Sequence, residues 1–177
     1  IQALILDDKA VLKTGTFAGV PGVPANHKWR EFHSLSFDAA GRLTVCARTW
    51  LDGFSTTLQT VFVRYHVTPA GDLGAPELLL HPDVSVAGQA VTSLPVAIDT
   101  YFGVTDAGAI AANVGLTSSE PGATEVKALV LGDTILALDG APSLLPGRDW
   151  ILQGGDPIAA NAGGDVAFRT RVVGGAF

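Results

Sequence analysis

The segment Asn161-Ala162-Gly163-Gly164-Asp165-Val166-Ala167-Phe168 decides the fold, because the same arrangement of residue types occurs three times in the chain. In each occurrence Asp or Asn lies two or three positions before a glycine, and apolar residues follow that glycine at the second and fourth positions. The other two occurrences are DAAGRLTV, residues 38–45, and TDAGAIAA, residues 105–112. The glycines follow one another at intervals of 67 and 56 residues.

These residue types are the ones that a tight hairpin requires. The side chain of Asp or Asn can accept a hydrogen bond from its own backbone and start a turn, and glycine adopts the positive φ that closes it. Alternating apolar residues then place every second side chain on one buried face. The sequence therefore predicts three equivalent hairpin turns. Their residues are Asp38, Gly41, Asp106, Gly108, Asn161 and Gly164, with Phe168 on the strand after the third turn.

A second element precedes each turn, an apolar strand followed by polar residues. Its three occurrences are ALILDDKAVLKTG from Ala3, PELLLHPDVSVAG from Pro76 and DTILALDGAPSLLPG from Asp133. The order of strand, loop, short strand, turn and strand therefore recurs. We expect one all-β domain over 1–177, a propeller-like tandem repeat of antiparallel strand units. The predicted units are 1–74, 75–132 and 133–177, and the last ends soon after its hairpin.

The composition supports a folded β protein. Of the 177 residues 47% are apolar and only 16% are charged, with 21 glycines and 10 prolines, which favours short strands and many turns over disorder. The net charge of −6 and the scattered Lys and Arg residues argue against nucleic-acid binding. No apolar run reaches the ~18 residues of a membrane helix, so we expect no direct membrane span.

The sequence contains no Met and begins with Ile1. We therefore expect a processed or partial product, and a removed export signal is compatible with this expectation.

The segment 136–170, LALDGAPSLLPGRDWILQGGDPIAANAGGDVAFRT, resembles one unit of the bacterial NxxGxxxF tandem-repeat proteins associated with PEP-CTERM-type surface anchors. The other two units depart from that pattern, since Asp replaces the Asn and Ala112 or Val45 replaces the Phe. The resemblance implies a β-propeller-like, exported and non-enzymatic protein of the periplasm or cell surface. It implies no catalytic residue and no cofactor.

Three units are too few to close a propeller, for which four or more blades are typical. We therefore expect either a part of a larger propeller or one that a partner completes. The predicted function is a non-catalytic scaffold or protein-interaction subunit that binds protein partners in a larger envelope or membrane assembly.

The segment 20–32, VPGVPANHKWREF, is the longest insertion relative to the other units, and long loops on repeat scaffolds often bind partners. We predict partner contacts at His27, Trp29, Arg30 and Phe32, since Trp and Arg are frequent in binding hot spots. The alternative for these aromatic residues is packing in the core.

Two other functions remain open at this stage. A calcium- or glycan-binding adhesion module would use acidic loops, of which Asp7-Asp8 is the strongest candidate, although no EF-hand loop occurs. A propeller-type carbohydrate hydrolase or lyase would need Glu31, His33 and Asp99 to converge. The sequence predicts no metal site, because His27 and His33 lack zinc-motif spacing, and Cys46, the only cysteine, fits a buried strand.

Overall fold

The computed structural model describes residues 1–52, 54–94, 101–153 and 156–174, without the side chains of 54–57. Within these ranges the chain forms strands, turns and loops and contains no helix, so the all-β prediction is confirmed. The chain divides into two compact units, an N-terminal unit Ile1–His81 and a C-terminal unit Pro82–Phe177. The division into three repeats at 74 and 132 stays a prediction.

The N-terminal unit contains a two-stranded hairpin, β1–β2, and a four-stranded antiparallel sheet in the order β3-β4-β5-β6. Each strand pairs with its neighbour in sequence, so the sheet is a simple meander. The strands are β1 (Ala3–Leu6), β2 (Lys9–Lys13), β3 (His27–Phe37), β4 (Arg42–Leu51), β5 (Phe54–Val67) and β6 (Leu73–Leu80).

The core of the N-terminal unit is formed by alternating residues of the sheet. Leu43, Val45 and Ala47 of β4 pack with Val61, Val63 and Tyr65 of β5, and with Trp29. Full burial of one such apolar side chain contributes about 1.5–3 kcal/mol.

The opposite face of the same sheet is buried as well. Cys46 and Phe62 are inaccessible to solvent, and Thr44 and Thr60 are almost so. Strands buried on both faces need apolar or small residues at consecutive positions, which accounts for the run LTVCA in β4 and for the weakly charged composition.

The C-terminal unit is built around β10. Its main sheet has the order β12-β11-β10-β8-β7, and β9 also pairs with β10; two small two-stranded sheets, β13–β16 and β14–β15, complete the unit. The strands are β7 (Ser85–Val86), β8 (Gln89–Ser93), β9 (Gly103–Val104), β10 (Ile110–Thr117), β11 (Glu125–Leu131), β12 (Thr134–Leu138), β13 (Asp149–Ile151), β14 (Ile158–Ala160), β15 (Val166–Phe168) and β16 (Arg171–Val173).

A small core lies beneath this sheet. Ala111 of β10 and Leu129 of β11 pack with Leu152 and Ile158, and Phe168 packs beside them with its ring 5.6 Å from that of Trp150. Phe168, the apolar residue expected after the third turn, is thus half-buried.

The three predicted glycine turns share one hydrogen-bonding pattern. A fourth turn, which is closed by Gly71, has the same pattern. A capping residue accepts the N–H of the glycine three positions on with its carbonyl, at 2.8–3.1 Å. Its side chain accepts the N–H of the residue four positions on, at 2.9–3.1 Å. The glycines have φ between 73° and 94°. The pairs of capping residue and glycine are Asp38–Gly41, Thr68–Gly71, Thr105–Gly108 and Asn161–Gly164.

The strand register beside each turn is also the same. The residue just before the capping residue pairs with the residue that lies five positions after the capping residue. These pairs are Phe37–Leu43, Val67–Leu73, Val104–Ile110 and Ala160–Val166. A type I turn followed by a left-handed glycine accounts for this geometry. In the turn closed by Gly108 the cap is Thr105, one residue before the expected Asp106. The N–H of Asp106 instead lies 3.4 Å from the carbonyl oxygen of Ala162.

Two tight hairpins, β1–β2 and β11–β12, also match each other in their strand pairing. Both are antiparallel, and both contain a register shift after the second pair. The paired residues are Ala3–Lys13, Leu4–Leu12, Ile5–Ala10 and Leu6–Lys9 in the first, and Ala128–Leu138, Leu129–Ala137, Val130–Ile135 and Leu131–Thr134 in the second. ALILDDKAVLKTG therefore matches residues 128–140, and the predicted match from Asp133 was wrong by five residues.

The equivalence continues beyond the tight hairpins. Gly15 donates its N–H to the carbonyl of Trp29 at 2.8 Å, and Gly140 donates to the carbonyl of Trp150 at 2.9 Å. The N–H groups of the two tryptophans donate back, each at 2.9 Å, to Thr16 and Ala141. The segments 3–29 and 128–150 thus share these backbone hydrogen bonds, although the loop before the tryptophan is longer in the first.

Candidate functional site

The predicted partner contacts are divided between the core and the surface. His27 and Trp29 are only 4% and 1% exposed, and His27 Nδ1 lies 3.1 Å from Thr49 Oγ1. Their side chains support the fold and are not available to a partner in this conformation. Arg30 is exposed and Phe32 is half-buried, so the predicted contact is restricted to these two.

Two irregularities in β3 shape the neighbouring surface. The pairing with β4 shifts between Trp29 and Glu31 and again between Phe32 and Ser34, so Arg30 and His33 are extra residues without a directly opposite partner. Such bulges bend a strand and redirect side chains, and they are frequent beside functional sites.

The bulges bring four polar side chains of β3 and β4 together, which we call the polar cluster: Glu31, His33, Arg48 and Trp50. Glu31 Oε2 lies 3.2 Å from Arg48 Nη1 and 3.6 Å from His33 Nε2. The guanidinium of Arg30 lies over the Trp50 ring, 5.3 Å from its centroid, a distance suited to cation–π attraction.

Three buried nitrogen atoms of the polar cluster have no hydrogen-bond partner among the described residues: His33 Nε2, Arg48 Nε and Trp50 Nε1. The His33 side chain is only 7% exposed. Its burial lowers the pKa of the imidazole, and the Arg48 charge acts in the same direction while Glu31 opposes it. A buried polar group without a partner costs about 1–3 kcal/mol, and these three nitrogen atoms are closed to solvent in this conformation.

A shallow cavity of about 340 Å³ borders the polar cluster. Arg30, Glu31 and Trp50 form one side of it, and Gln2 and Thr14 form the other. The size is at the lower end of small-molecule sites. An aromatic ring with neighbouring amide, hydroxyl and charged groups can hold a polar ligand by stacking and hydrogen bonds.

The same residues bear on the hydrolase alternative. Glu31 and His33 do lie together, but Asp99 lies outside the described residues. In the ranges that the structure describes, no group of three His, Cys, Asp or Glu side chains is arranged to hold a metal ion. Asp7 and Asp8 form the turn of β1–β2 with φ values of 46° and 64°, so their place in the sequence is explained by the hairpin.

A second, apolar groove lies beside the polar cluster, with a volume of about 390 Å³. It runs between β1 and the outer edge of β3, and its walls include Ile5, Phe32 and Leu35. Ile5 and Leu35 are 55% and 52% exposed, and Phe37, two residues further along β3, is 54% exposed. Apolar side chains beside an edge strand are an unusual surface for a soluble protein.

The C-terminal unit has a polar cavity of its own, of about 510 Å³, lined in part by Glu120, Glu125 and Lys127. Glu125 Oε2 accepts hydrogen bonds from Thr92 and Ser93, at 2.7 and 2.6 Å. This carboxylate therefore has hydrogen-bond partners within the protein, whereas three buried nitrogen atoms of the polar cluster have none among the described residues.

The sequence predicted a possible role for Glu31 and His33, but it did not place Arg48 and Trp50 beside them. These two residues alternate with the core residues Ala47 and Thr49 on β4, so the alternation alone placed them on the opposite face. Their meeting with Glu31 depends on the two bulges of β3, which have no reliable sequence signal.

No known protein family, curated protein or solved structure shows a significant match to this chain. The described residues include no helix of the length and apolarity needed to cross a membrane.

Proposed function

We propose that the chain is a non-catalytic β-repeat scaffold that binds another protein, as an extracytoplasmic subunit of a larger envelope or membrane assembly. The extracytoplasmic setting follows from the resemblance of residues 136–170 to exported repeat proteins.

The observation that carries the proposal is the apolar groove of the N-terminal unit. Ile5, Leu35 and Phe37 are each more than half exposed, and β3 has no strand on its outer side in the described part of the chain apart from the single bridge Phe17–Lys28. An open edge next to apolar side chains invites uncontrolled association unless a partner covers it. An extended segment of a partner protein could add to this edge, with its side chains in the groove.

The repeated hairpins support a propeller-like array that such a partner completes. The four-stranded meander β3–β6 has the strand number and connectivity of one propeller blade. The recurrence of the glycine turns and tight hairpins favours several similar units side by side.

Affinity capture from the envelope fraction of the source cells tests this proposal. We expect the wild-type chain to retain a partner in stoichiometric amount and the Leu35→Glu variant to lose it. Leu144→Glu is the matched control, because Leu144 is 90% exposed and lies in the C-terminal unit. Equal retention by all three proteins, or the absence of any partner, would contradict the proposal.

A second candidate function, glycan binding, is favoured by the polar cluster. Trp50 lines the cavity together with Arg30, Glu31, Gln2 and Thr14, so its ring can pack against a sugar face while these polar side chains bond to the sugar hydroxyls. The calcium and hydrolase alternatives have no comparable support among the described residues.

Trp50→Ala tests this candidate, because it removes the ring on which a sugar would stack. If the cavity binds glycans, the affinity for a glycan identified on an array should fall at least tenfold, which corresponds to about 1.4 kcal/mol. Trp150→Phe in the C-terminal unit is the control. A wild-type chain that binds no glycan would remove the candidate.

A further inference from the structure

The two tight hairpins have the same register but different neighbours. In the C-terminal unit β11 pairs on its second edge with β10, from Ala111–Leu131 to Thr117–Glu125. In the N-terminal unit β1 pairs with β2 alone, as far as the described residues show. The same structural element thus has a covered edge in one place and an open edge in the other.

The side chains at equivalent positions follow this difference. Ile5 and Val130 both stand immediately after the register shift of their hairpin, and Ile5 is 55% exposed whereas Val130 is 1% exposed. Leu35 and Ile158 both lie three residues before a capping residue, and their exposures are 52% and 7%.

The C-terminal unit shows what covers these positions. Ile158 packs in one cluster with Ala111 of β10 and Leu129 of β11, and β9 approaches β14 so closely that a Cβ on Gly103 would lie 2.3 Å from the backbone nitrogen of Ala160. The hairpin β9–β10 therefore fills the space between β11 and β14. The apolar groove between β1 and β3 is the equivalent space in the N-terminal unit.

We infer that the apolar groove receives a glycine-turn hairpin from a second copy of this chain, the hairpin β14–β15. This rests on the proposed function and names the partner. Among the described residues β15 pairs only with β14, so its other edge is open. Ala167, six residues after its capping residue, is exposed, whereas Ala111, at the same position of β10, is fully buried.

The chemistry of the two edges is compatible. Neither β1 (ALIL) nor β15 (VAF) contains a charged residue, so pairing would bury no charge. In the C-terminal unit Ala111 pairs with Leu131 and Ala112 with Val130. Transferred to the two copies, these pairs become Ala167 opposite Leu6 and Phe168 opposite Ile5. The register is assigned for these two pairs only, because the next residue, Arg169, corresponds to the buried Asn113 of β10.

One difference limits the strength of the contact. Ala159 of β14 and Gly103 of β9 both lie two residues before a capping residue. Where β9 packs against β14, there is no space for a Cβ on Gly103, but Ala159 has one. The second copy must therefore dock less closely than β9–β10 does, and the association should be reversible. Ala159→Gly removes that obstacle, so it should tighten the association.

The two surfaces are different patches of the molecule, so the contact is head-to-tail. Such contacts produce rings if the rotation closes and open chains if it does not. The N-terminal groove of one copy would hold the C-terminal hairpin of the next.

Sedimentation of the purified chain over a range of concentrations tests self-association. We expect concentration-dependent oligomers for the wild type, at least tenfold weaker association for Ile5→Lys and Leu35→Glu, and at least tenfold tighter association for Ala159→Gly. Leu144→Glu should behave like the wild type. A monomer at all concentrations, or insensitivity to these substitutions, would overturn the inference.

Disulfide cross-linking tests the register. A Leu6→Cys protein is mixed with an Ala167→Cys protein, both in a Cys46→Ala background, so that every disulfide is intermolecular and the mixed dimer can be told from the two homodimers by mass. We expect rapid formation of the mixed dimer, because facing residues of antiparallel strands lie within disulfide distance. Lys13→Cys, on the strand β2 away from the open edge, replaces Leu6→Cys in the control mixture. Equal rates in the two mixtures would overturn the assigned register and the inference with it.

These results separate the inference from the proposed function. A chain that stays monomeric but captures a different protein through Leu35 would overturn the inference and leave the proposed function standing. A chain that self-associates in the assigned register but captures no other protein would support the inference and contradict the heteromeric part of the proposed function.

Discussion

At the scale of single residues, the glycine turns depend on a side-chain oxygen and a left-handed glycine. Asp38, Thr105 and Asn161 fill the same capping position with the same hydrogen bonds. The glycines were visible in the sequence because few other residues adopt that φ. The threonine caps were not predicted, because Asp and Asn define the repeated pattern, although a threonine hydroxyl can accept the same bond.

Asp38 provides a test of the cap. Its side chain is 2% exposed and accepts the N–H groups of Ala40 and Arg42, at 2.9 and 3.0 Å. Asp38→Ala would leave these donors without their partner and should lower the free energy of unfolding by about 1–3 kcal/mol. Asp38→Asn, which imitates Asn161, should cost clearly less in urea unfolding. Equal losses for the two variants would contradict the claim that the Asn side chain can fill this capping position.

The charge of Asp38 should make stability depend on pH in acid. Burial acts to raise the pKa of Asp38, but the backbone and guanidinium hydrogen bonds from Arg42 outweigh it and hold the pKa below the usual 3.8. A lowered carboxyl pKa gives stability that is present above the pKa of the unfolded chain and is lost as pH falls through the folded value. Urea unfolding of Asp38→Asn between pH 5 and 2 should show a smaller acid loss than the wild type. An unchanged acid loss would contradict this assignment.

The two buried histidines predict a second pH effect. Burial lowers the pKa of His27 and of His33 below 6.5, so the folded state holds them neutral. The unfolded chain takes up their protons first as pH falls below 6.5, and the stability should decrease from there through the lower folded pKa values. The slope of unfolding free energy against pH between 7 and 5 should become smaller in His27→Gln/His33→Gln. A slope equal to that of the wild type would refute the prediction.

At the scale of strands and hairpins, the apolar alternation after Gly41 predicted the first part of β4, because Leu43 and Val45 both lie in the core. The bulges of β3 and the short strands β13 and β16 could not be predicted. Both depend on backbone irregularities that tertiary packing selects and that leave the residue pattern almost unchanged. For this reason the polar cluster was only half visible before the structure.

Gly103 tests the packing of one hairpin on another. Alanine is normally better than glycine in a strand, but a Cβ at this position would lie within 3 Å of the backbone of Ala160. Gly103→Ala should therefore lower the free energy of unfolding by about 1–3 kcal/mol, the usual cost of overpacking. Gly163→Ala is the control, because the nearest atom to its added Cβ is the Asn161 side-chain oxygen at 3.5 Å. Thermal unfolding that ranks the two variants equally would contradict the close approach.

At the scale of the whole chain, the recurrence of two kinds of hairpin explains the composition. The middle of β4, residues 43–47, and most of β10 are buried on both faces and carry no charged residue, and the many glycines close the turns between strands. The prediction that Trp29 forms a partner contact did not allow for this burial, since a residue beside a long loop can still point into the core. Among the described residues β1 and β15 each pair with one strand only, and the inferred contact between two copies would use these two edges.

The most direct test of the central claim, that one strand-and-turn module recurs along the chain, is nuclear magnetic resonance detection of individual backbone hydrogen bonds. Coupling across the bond should connect the nitrogen of Gly15 with the carbonyl carbon of Trp29, and the nitrogen of Gly140 with that of Trp150. We predict that both couplings are present and that both tight hairpins show a register shift after their second pair. If Gly140 is coupled to a different carbonyl, or the two hairpins differ in register, the segments 3–29 and 128–150 are not copies of one module and the account is contradicted.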